Sequence, residues 1–300
     1  MTPSLDETRA DARGPAALAP RALVAAPIFF GEGPRWHDGA FRFSDIGAGA
    51  VFRVSSSGAL EKVVDIPGRP SGLGWLPDGR LLVVSMHDRR LMRFDSSGLA
   101  VLADLSPWCG GDANDMVVDA HGRAYVGNIG FDLERQPIEP RPTVLVRVDP
   151  DGSARAVASD LMAPNGMAIT PDGRTLIVGE SGAGCLTAFD VDAAGDLSNR
   201  RVYAPLEPGG APDGLCLDAE GAVWVASPTT RAFLRIREGG EITDRLPTGD
   251  RHAIACMLGG TDRRTLYLIT APTMSIRTSI PLHDGRIESV RVAVAGAGRP

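Results

Sequence analysis

The amino-acid sequence predicts an all-β fold, a six-bladed β-propeller with four antiparallel strands in each blade. Two observations support this prediction. One short phrase recurs six times along the 300 residues, and most copies are followed by further short strands of alternating polarity. Repeats of roughly 40 to 50 residues that each supply four strands are typical of propeller blades. A β-sandwich would not explain the regular spacing, and a β-helix would need shorter coils.

The recurring phrase is a turn with Asp-Gly or a close variant, followed by an alternating apolar strand. Its copies are HDGAFRFSD (37–45), PDGRLLVVS (77–85), DAHGRAYVGN (119–128), PDGRTLIVGE (171–180), DAEGAVWVAS (218–227) and TDRRTLYLIT (261–270). A further strand and a Gly-bearing turn follow most copies, and another apolar stretch leads into the next unit. Each unit is therefore predicted to be a four-stranded meander. We expect residues 22–30 and 289–294 to pair in one blade and so close the ring.

The composition is typical of a globular protein, with 43% apolar residues, 23% charged residues and a net charge of -6. Because no Lys/Arg block is present, we expect neither a nucleic-acid nor a membrane partner. Residues 1–20 are predicted to be a disordered tail, and residues 21–300 a single propeller domain. The four cysteines form no CxxC pair and no secretion signal is evident, so reduced thiols and a cytoplasmic location are expected. We expect a monomer or a small homo-oligomer.

Polar residues occupy one equivalent position in five of the predicted inner strands. Counting back from the turn glycine of each copy gives Glu32, Ser71, Asn114, Asn165 and Asp213. The innermost strands of a propeller line its central channel, so this repetition brings the five side chains together at one end. Confined carboxylates repel one another unless a cation is present, and an all-oxygen donor set favours hard divalent ions. The sequence therefore predicts one divalent metal ion, calcium first, with Mg, Mn or Zn as alternatives.

Five segments together resemble a known family. They are GEGPRW (31–36), NDMVVDAHGRAYVG (114–127), APNGMAITPDGRTLIVGES (163–181), PDGLCLDAEGAVWVA (212–226) and HAIACMLGGTDRRTLYL (252–268). Through them the chain resembles the SMP-30/gluconolactonase/LRE-like, or regucalcin-like, family of six-bladed propeller lactonases. The resemblance runs from about residue 29 to residue 294, which is nearly the whole chain.

The resemblance implies a set of roles. Glu32, Asn165 and Asp213 match the metal ligands of the family, and Asp213 also matches its general base. Asn114 matches a residue that contacts the substrate. The implied reaction is hydrolysis of a sugar or small aliphatic lactone to its hydroxy acid, with the metal polarising the carbonyl. Asp112 occupies a position where sugar lactonases of the family often have Arg, so we expect it to line an altered substrate pocket.

Several alternatives stay open. The same metal propeller could hydrolyse aryl esters or phosphotriesters or catalyse a non-hydrolytic step, and a non-catalytic propeller could bind a ligand or calcium. His87 and His252 could face the mouth of the pocket, although a lone histidine is more often structural. Glu180 and Ser181 could support the site or form a solvated strand end. The insertion at residues 131–143 could be a lid or a surface loop without function.

Overall fold

Six four-stranded antiparallel sheets form nearly all of the regular structure in this protein. The computed structural model describes residues 20–55, 57–132 and 137–299, and all of the elements below lie within these ranges. The six sheets are arranged as the blades of a propeller, which confirms the predicted fold. The predicted disordered tail lies outside the described residues, apart from its last residue.

The first half of the chain forms a short opening strand and three complete blades. The opening strand is β1 (Arg21–Ala22). Blade one contains β2 (Gly31–His37), β3 (Ala40–Asp45), β4 (Ala50–Val54) and β5 (Leu60–Asp65). Blade two contains β6 (Pro70–Trp75), β7 (Leu81–Ser85), β8 (Arg90–Asp95) and β9 (Gly98–Asp104). Blade three contains β10 (Ala113–Val118), β11 (Ala124–Asn128), β12 (Thr143–Val148) and β13 (Ala154–Leu161).

The second half forms the other three blades and two short helical turns. Blade four contains β14 (Pro164–Ile169), β15 (Thr175–Glu180), β16 (Cys185–Val191) and β17 (Leu197–Pro205). Blade five contains β18 (Leu215–Leu217), β19 (Val223–Ser227), β20 (Ala232–Ile236) and β21 (Ile242–Pro247). Blade six contains β22 (His252–Gly259), β23 (Thr265–Ala271) and β24 (Arg286–Arg291). Helix α1 (Ile276–Ser279) and a 3-10 turn (Ile280–Leu282) connect β23 to β24.

The two ends of the ring meet in blade six, where β1 is the outermost strand beside β24. Arg21 pairs with Ser289 in this antiparallel contact. The two ends therefore pair in one blade as predicted, but each observed pair, Arg21 with Ser289 and Ala22 with Glu288, has one residue outside the predicted ranges 22–30 and 289–294. Beyond Ala22 the contact continues only at single points, through the N–H of Leu23 bonded to the carbonyl of Ile287 at 2.9 Å and an isolated bridge between Ile28 and Gly285.

A C-terminal strap, residues 294–299, crosses the channel at the end where the inner strands finish. Ala297 donates its N–H to the carbonyl of Leu217 at 2.9 Å, and Arg299 exchanges two backbone hydrogen bonds with Ile169 at 2.7 and 2.9 Å. Leu217 and Ile169 are the last residues of β18 and β14. The strap therefore covers the end of the channel opposite the predicted site, whose residues lie where the inner strands begin.

The hydrophobic core is divided among the interfaces between neighbouring blades. Tyr125 and Trp224 are fully buried there, as expected for large residues on the second strands. All four cysteines are free thiols. No helix in the described part of the chain has the length and apolar character needed to cross a membrane.

Candidate metal centre

The inner strands share a backbone irregularity at the position of the predicted site residues. Their pairing with the second strands shifts register, as in a β-bulge, between Glu32 and Arg35, Pro70 and Leu73, Ala113 and Met116, and Pro164 and Met167. A bulge disrupts the regular pairing and re-aims the side chains beside it. In blade five the strand begins only after Asp213, whose N–H bonds to the carbonyl of Ala226 at 2.9 Å. In these five blades the irregularity thus falls at the predicted site residue.

Glycines directly after the predicted ligands allow the inner strands to approach closely. A Cβ atom on Gly166 would lie 2.5 Å from the carbonyl oxygen of Asp213 in the next blade. A Cβ atom on Gly33, whose φ is +52°, would lie 2.4 Å from the carbonyl oxygen of Ser71. Both distances are impossible for real side chains, so only glycine fits. The inner strands of neighbouring blades therefore pack closely at the predicted site residues.

Glu32 is buried at the start of β2, with 6% of its surface exposed. Its Oε2 accepts a hydrogen bond from the N–H of Gly33 at 2.9 Å. Burial raises the pKa of Glu32 well above its ordinary value, and the carboxylates of Asp213 and Asp115 raise it further, against weaker opposing effects of Gly33 and Arg35. The influence of Asp213 on this pKa shows that the two acids share one site, although they come from blades one and five.

The carboxyl group of Asp213 is the second one at the site whose pKa is strongly raised. Burial raises its pKa from 3.8 to about 8; the amide of Asn165 opposes this shift and the carboxylate of Asp115 adds to it. Near neutral pH, Asp213 and Glu32 therefore cannot both ionise at low cost without a cation. Perturbed carboxyl groups in a cleft are a recognised mark of functional sites.

Two buried oxygen atoms at the site lack a hydrogen-bond partner, Asn165 Oδ1 and Asp213 Oδ1. Leaving a buried acceptor unsatisfied costs about 1–3 kcal/mol, so each needs an explanation. A hard divalent cation would satisfy both atoms together with the Glu32 carboxylate, and this donor set fits calcium or magnesium. In the described ranges no group of three or more His, Cys, Asp or Glu side chains could hold a metal. The cluster of two acids and one amide is therefore the candidate, and its role as a metal site stays a prediction.

Asn114 lies on β10 and is buried, with 6% exposure. Its Oδ1 accepts a hydrogen bond from Ser71 Oγ at 3.2 Å. Ser71, which occupies the equivalent position of blade two, is therefore the hydrogen-bond donor to Asn114. The amide nitrogen of Asn114 then stays available to donate to a bound molecule.

Asp112 directly precedes β10 and lies beside His87. The two side chains are 38% and 45% exposed, and a carboxylate oxygen of Asp112 lies 3.0 Å from His87 Nδ1. They line a cleft of about 280 Å³ together with Phe131. Phe131 begins the predicted lid (131–143), of which residues 133–136 lie outside the described chain. A substrate-binding role for Asp112 stays a prediction.

A buried ion pair next to the site was not predicted from the sequence. Arg35 NH2 lies 2.8 Å from Asp115 Oδ1, with both side chains at most 5% exposed. Arg35 also donates to the carbonyls of Leu73 and Pro34, at 2.9 and 2.8 Å. One signal was available: Asp115 occupies the place that glycine holds in the four other blades with a predicted site residue. A charged residue at such a crowded position requires a buried partner.

Glu180 and Ser181, at the end of β15, have different surroundings. Glu180 is 1% exposed, so the solvated strand end is wrong for this residue. Its oxygens accept from Met162 N at 2.8 Å and Arg200 NH2 at 2.9 Å, which makes it an anchor within blade four. Ser181 instead contacts the candidate ligand Asn165, with Oγ and Nδ2 3.3 Å apart.

His252 begins the inner strand of blade six. Its Nδ1 lies 2.8 Å from the carbonyl oxygen of Pro228. Because a carbonyl only accepts, Nδ1 carries the proton and Nε2 is the unprotonated nitrogen of the neutral ring. This contact ties blade six to blade five, in agreement with a structural role.

The fold and this cluster define a six-bladed propeller with an acid–amide site at one end of its channel. The chain belongs to the SMP-30/gluconolactonase/LRE-like family, whose model matches residues 30–272. The resemblance seen in the sequence is thus confirmed.

Individual relatives agree with this membership. The chain is 26% identical over 289 residues to a 6-deoxy-6-sulfogluconolactonase from Pseudomonas putida, covering 93% of this chain and 97% of the relative. It is 27% identical over 256 residues to a pentonolactonase from Haloferax volcanii, covering 83% and 85%. Among solved structures, a regucalcin from Agrobacterium tumefaciens, described as a calcium-binding protein, matches with a TM-score of 0.77 and 23% identity over 94% of this chain and 97% of that one. At this identity the structural match supports the fold alone.

Proposed function

We propose that this protein is a divalent-metal-dependent lactonase that opens a sugar or small aliphatic lactone to its hydroxy acid. The observation that carries the proposal is the pair of unpartnered oxygens, Asn165 Oδ1 and Asp213 Oδ1, beside the buried carboxyl of Glu32. Two relatives with lactonase names support the class of reaction. Glu32, Asn165 and Asp213 would hold the ion, with calcium preferred for an all-oxygen donor set. When bound, the ion supplies Lewis-acid polarisation of the lactone carbonyl.

Asp213 is the proposed general base. Its carboxylate can accept a proton from a water molecule beside it, as the general bases of hydrolases do. Asp213 takes a proton as the water oxygen bonds to the carbonyl carbon. The bond between that carbon and the ring oxygen then breaks, and the same proton passes to the ring oxygen as it becomes the alcohol. The products are one hydroxy acid and a regenerated carboxylate.

Asn114 is the proposed substrate contact closest to the acids. Since Ser71 occupies its Oδ1, its amide N–H groups are free to donate to an oxygen of the lactone. A donor placed where negative charge develops stabilises the transition state more than the ground state.

The cleft at Asp112 and His87 is the proposed contact for the substituents of the lactone. Asp112 accepts hydrogen bonds, whereas the Arg often found at this position in sugar lactonases of the family donates them. The hydroxyl groups of a substrate can satisfy either residue, but a substituent that only accepts fits Arg better. We therefore expect a substrate range different from that of the typical sugar lactonases.

A substrate panel tests the proposed function. The purified protein is assayed on sugar lactones, aliphatic lactones, aryl esters and phosphotriesters, with its metal content measured before and after treatment with a chelator. We expect lactone turnover that disappears with the chelator and returns when calcium is added. Turnover of aryl esters or phosphotriesters alone would assign a different hydrolase, and metal binding without any turnover would favour a non-catalytic binding protein.

A further inference from the structure

Ser181 connects two of the candidate metal ligands. Its Oγ donates to the carbonyl oxygen of Pro212 at 2.6 Å, and Pro212 directly precedes Asp213. The same Oγ lies 3.3 Å from Nδ2 of Asn165, on the neighbouring strand β14. One hydroxyl group therefore contacts the side chain of one candidate ligand and the backbone beside another.

The number of protons in these contacts fixes the orientation of the Asn165 amide. A serine hydroxyl has one proton, and a carbonyl oxygen can only accept, so the proton of Ser181 points at Pro212. Toward Asn165 the hydroxyl can then only accept. The edge of the amide that faces Ser181 must be the NH₂ nitrogen, which leaves Oδ1 on the other edge. Oδ1 is the buried atom that lacks a partner.

Asn114 shows the opposite arrangement. There Ser71 Oγ donates to the amide oxygen, at 3.2 Å, and the nitrogen is left available. The two asparagines occupy equivalent positions in blades three and four, yet their serine partners expose different atoms. An exposed amide oxygen can bind a cation, and an exposed amide nitrogen can donate to a substrate oxygen. The serine partners thus make Asn165 suitable as a metal ligand and Asn114 suitable as a substrate contact.

We infer that Ser181 is a positioning residue for cation binding, which fixes the Asn165 amide with its oxygen toward the cation. This inference rests on the metal centre of the proposed function. Without the hydroxyl the amide nitrogen loses one of the two groups that hold it, the other being the carboxylate of Asp213. The orientation that presents N–H groups to a cation, which is repulsive, then becomes easier to reach. The carbonyl of Pro212 also loses its donor, so the backbone beside Asp213 is held less firmly.

The test is calcium binding by titration calorimetry, with Ca²⁺ alone and metal-free protein. We expect Ser181→Ala to weaken calcium affinity by about 10- to 100-fold, the range typical of groups that orient metal ligands. Ser181→Thr keeps the hydroxyl and is expected to bind like the wild type. Ser85→Ala is the matched control, because the buried Ser85 hydroxyl donates to Asp88 at 2.9 Å in blade two and touches no candidate ligand.

A double-mutant cycle separates positioning from a general structural effect. In Asn165→Asp the side chain presents an oxygen at either edge, so its orientation no longer matters. We expect Ser181→Ala to cost far less affinity in the Asn165→Asp background than in the wild type. An equal loss in both backgrounds would overturn the inference, as would unchanged affinity in Ser181→Ala.

The wild-type titration distinguishes this inference from the proposed function. If the wild type binds no Ca²⁺, the calcium centre and the role of Ser181 are both rejected. If the wild type binds Ca²⁺ and Ser181→Ala binds it equally well, only the role of Ser181 is rejected. Thermal unfolding of each metal-free variant shows whether it is folded.

Discussion

Arg35 of blade one and Asp115 of blade three form a buried ion pair across blade two, with the guanidinium nitrogen and the carboxylate oxygen 2.8 Å apart. Arg35 also bonds to the carbonyl of Leu73 in blade two, so one side chain joins three inner strands. Asp115 in turn acts on the carboxyl groups of Glu32 and Asp213, whose pKa values its negative charge raises. The ion pair is therefore both a support for the ring and a part of the electrostatics of the site.

Breaking this pair from one side is expected to destabilise the protein strongly. Arg35→Met leaves the Asp115 carboxylate buried without its partner, which costs about 3–5 kcal/mol. The measurement is the free energy of unfolding from urea titration of the metal-free protein. Arg53→Met is the control, because Arg53 pairs with Glu61 at the surface, where such pairs contribute about 0–1 kcal/mol. Similar losses for the two variants would contradict the importance of the buried pair.

Asp213→Asn is expected to abolish most of the lactonase activity. The variant keeps an oxygen for the cation but cannot take the proton, so we expect kcat/KM to fall by about 10²- to 10⁴-fold. Activity is measured at saturating calcium, with bound metal determined in the same samples. Asp172→Asn, in the exposed turn after β14, is the control and is expected to be unchanged. Full activity of a metal-loaded Asp213→Asn protein would rule out its role as base.

Calcium affinity is expected to increase with pH. Because the pKa of Asp213 is raised to about 8, the metal-free protein retains a proton there that calcium must displace. Below that pKa we expect the apparent affinity to rise up to roughly tenfold per pH unit for each displaced proton. Calorimetry in buffers of different ionisation enthalpy measures the released protons. An affinity that is constant between pH 6 and pH 8 would contradict the raised pKa.

The stability of the metal-free protein is expected to decrease as the pH rises, whereas calcium affinity increases. The folded state holds the Asp213 proton more tightly than the unfolded state, whose carboxyl has the ordinary pKa of 3.8. The stabilisation of the folded state by this proton is fully present below pH 3.8 and is lost as the pH rises through about 8. Metal-free protein should therefore lose unfolding free energy across this window. Urea titrations of the wild type and Asp213→Asn isolate the contribution, since the variant cannot titrate at this position.

Asp112→Arg is expected to change substrate preference. The substitution introduces the residue often present in sugar lactonases of the family and removes the carboxylate next to His87. We expect kcat/KM for lactones whose substituents only accept hydrogen bonds to rise relative to that for other lactones, mainly through KM. Asp151→Arg, an equal change of charge in an exposed turn, is the control. Equal ratios for the wild type and Asp112→Arg would show that this cleft does not select the substrate.

Much of the architecture could be predicted from the sequence because a propeller repeats its pattern radially. The same count that located the blades gave one equivalent polar residue in five of them, and the family resemblance then selected Glu32, Asn165 and Asp213 as the candidate ligands. The count could not show which side chains of different blades contact each other. Arg35 meets Asp115 only after the ring is built, and nothing in the spacing of either residue indicates the other.

The sequence likewise could not predict which side chain donates and which accepts in the hydrogen bonds of the site. Ser71 and Asn114 were equivalent in the count, yet the structure shows one as the partner of the other. From the sequence, Glu180 could have been a solvated strand end. Its partner Arg200 lies on the outer strand of the blade, and their contact could not be read from the spacing of the two residues. Such properties follow from where side chains meet, which periodicity does not determine.

The closure of the ring by β1 has a consequence for how the protein folds during synthesis. Arg21 is synthesised long before its partner Ser289, so β1 must wait for β24. At typical rates of translation the wait is on the order of tens of seconds. Throughout that time blade six lacks strands, and the edges of finished sheets are open to pairing with other chains. The nascent chain is thus most exposed to misassembly before β24 is made, and chaperone binding at that stage should matter more for its yield than for the folded protein.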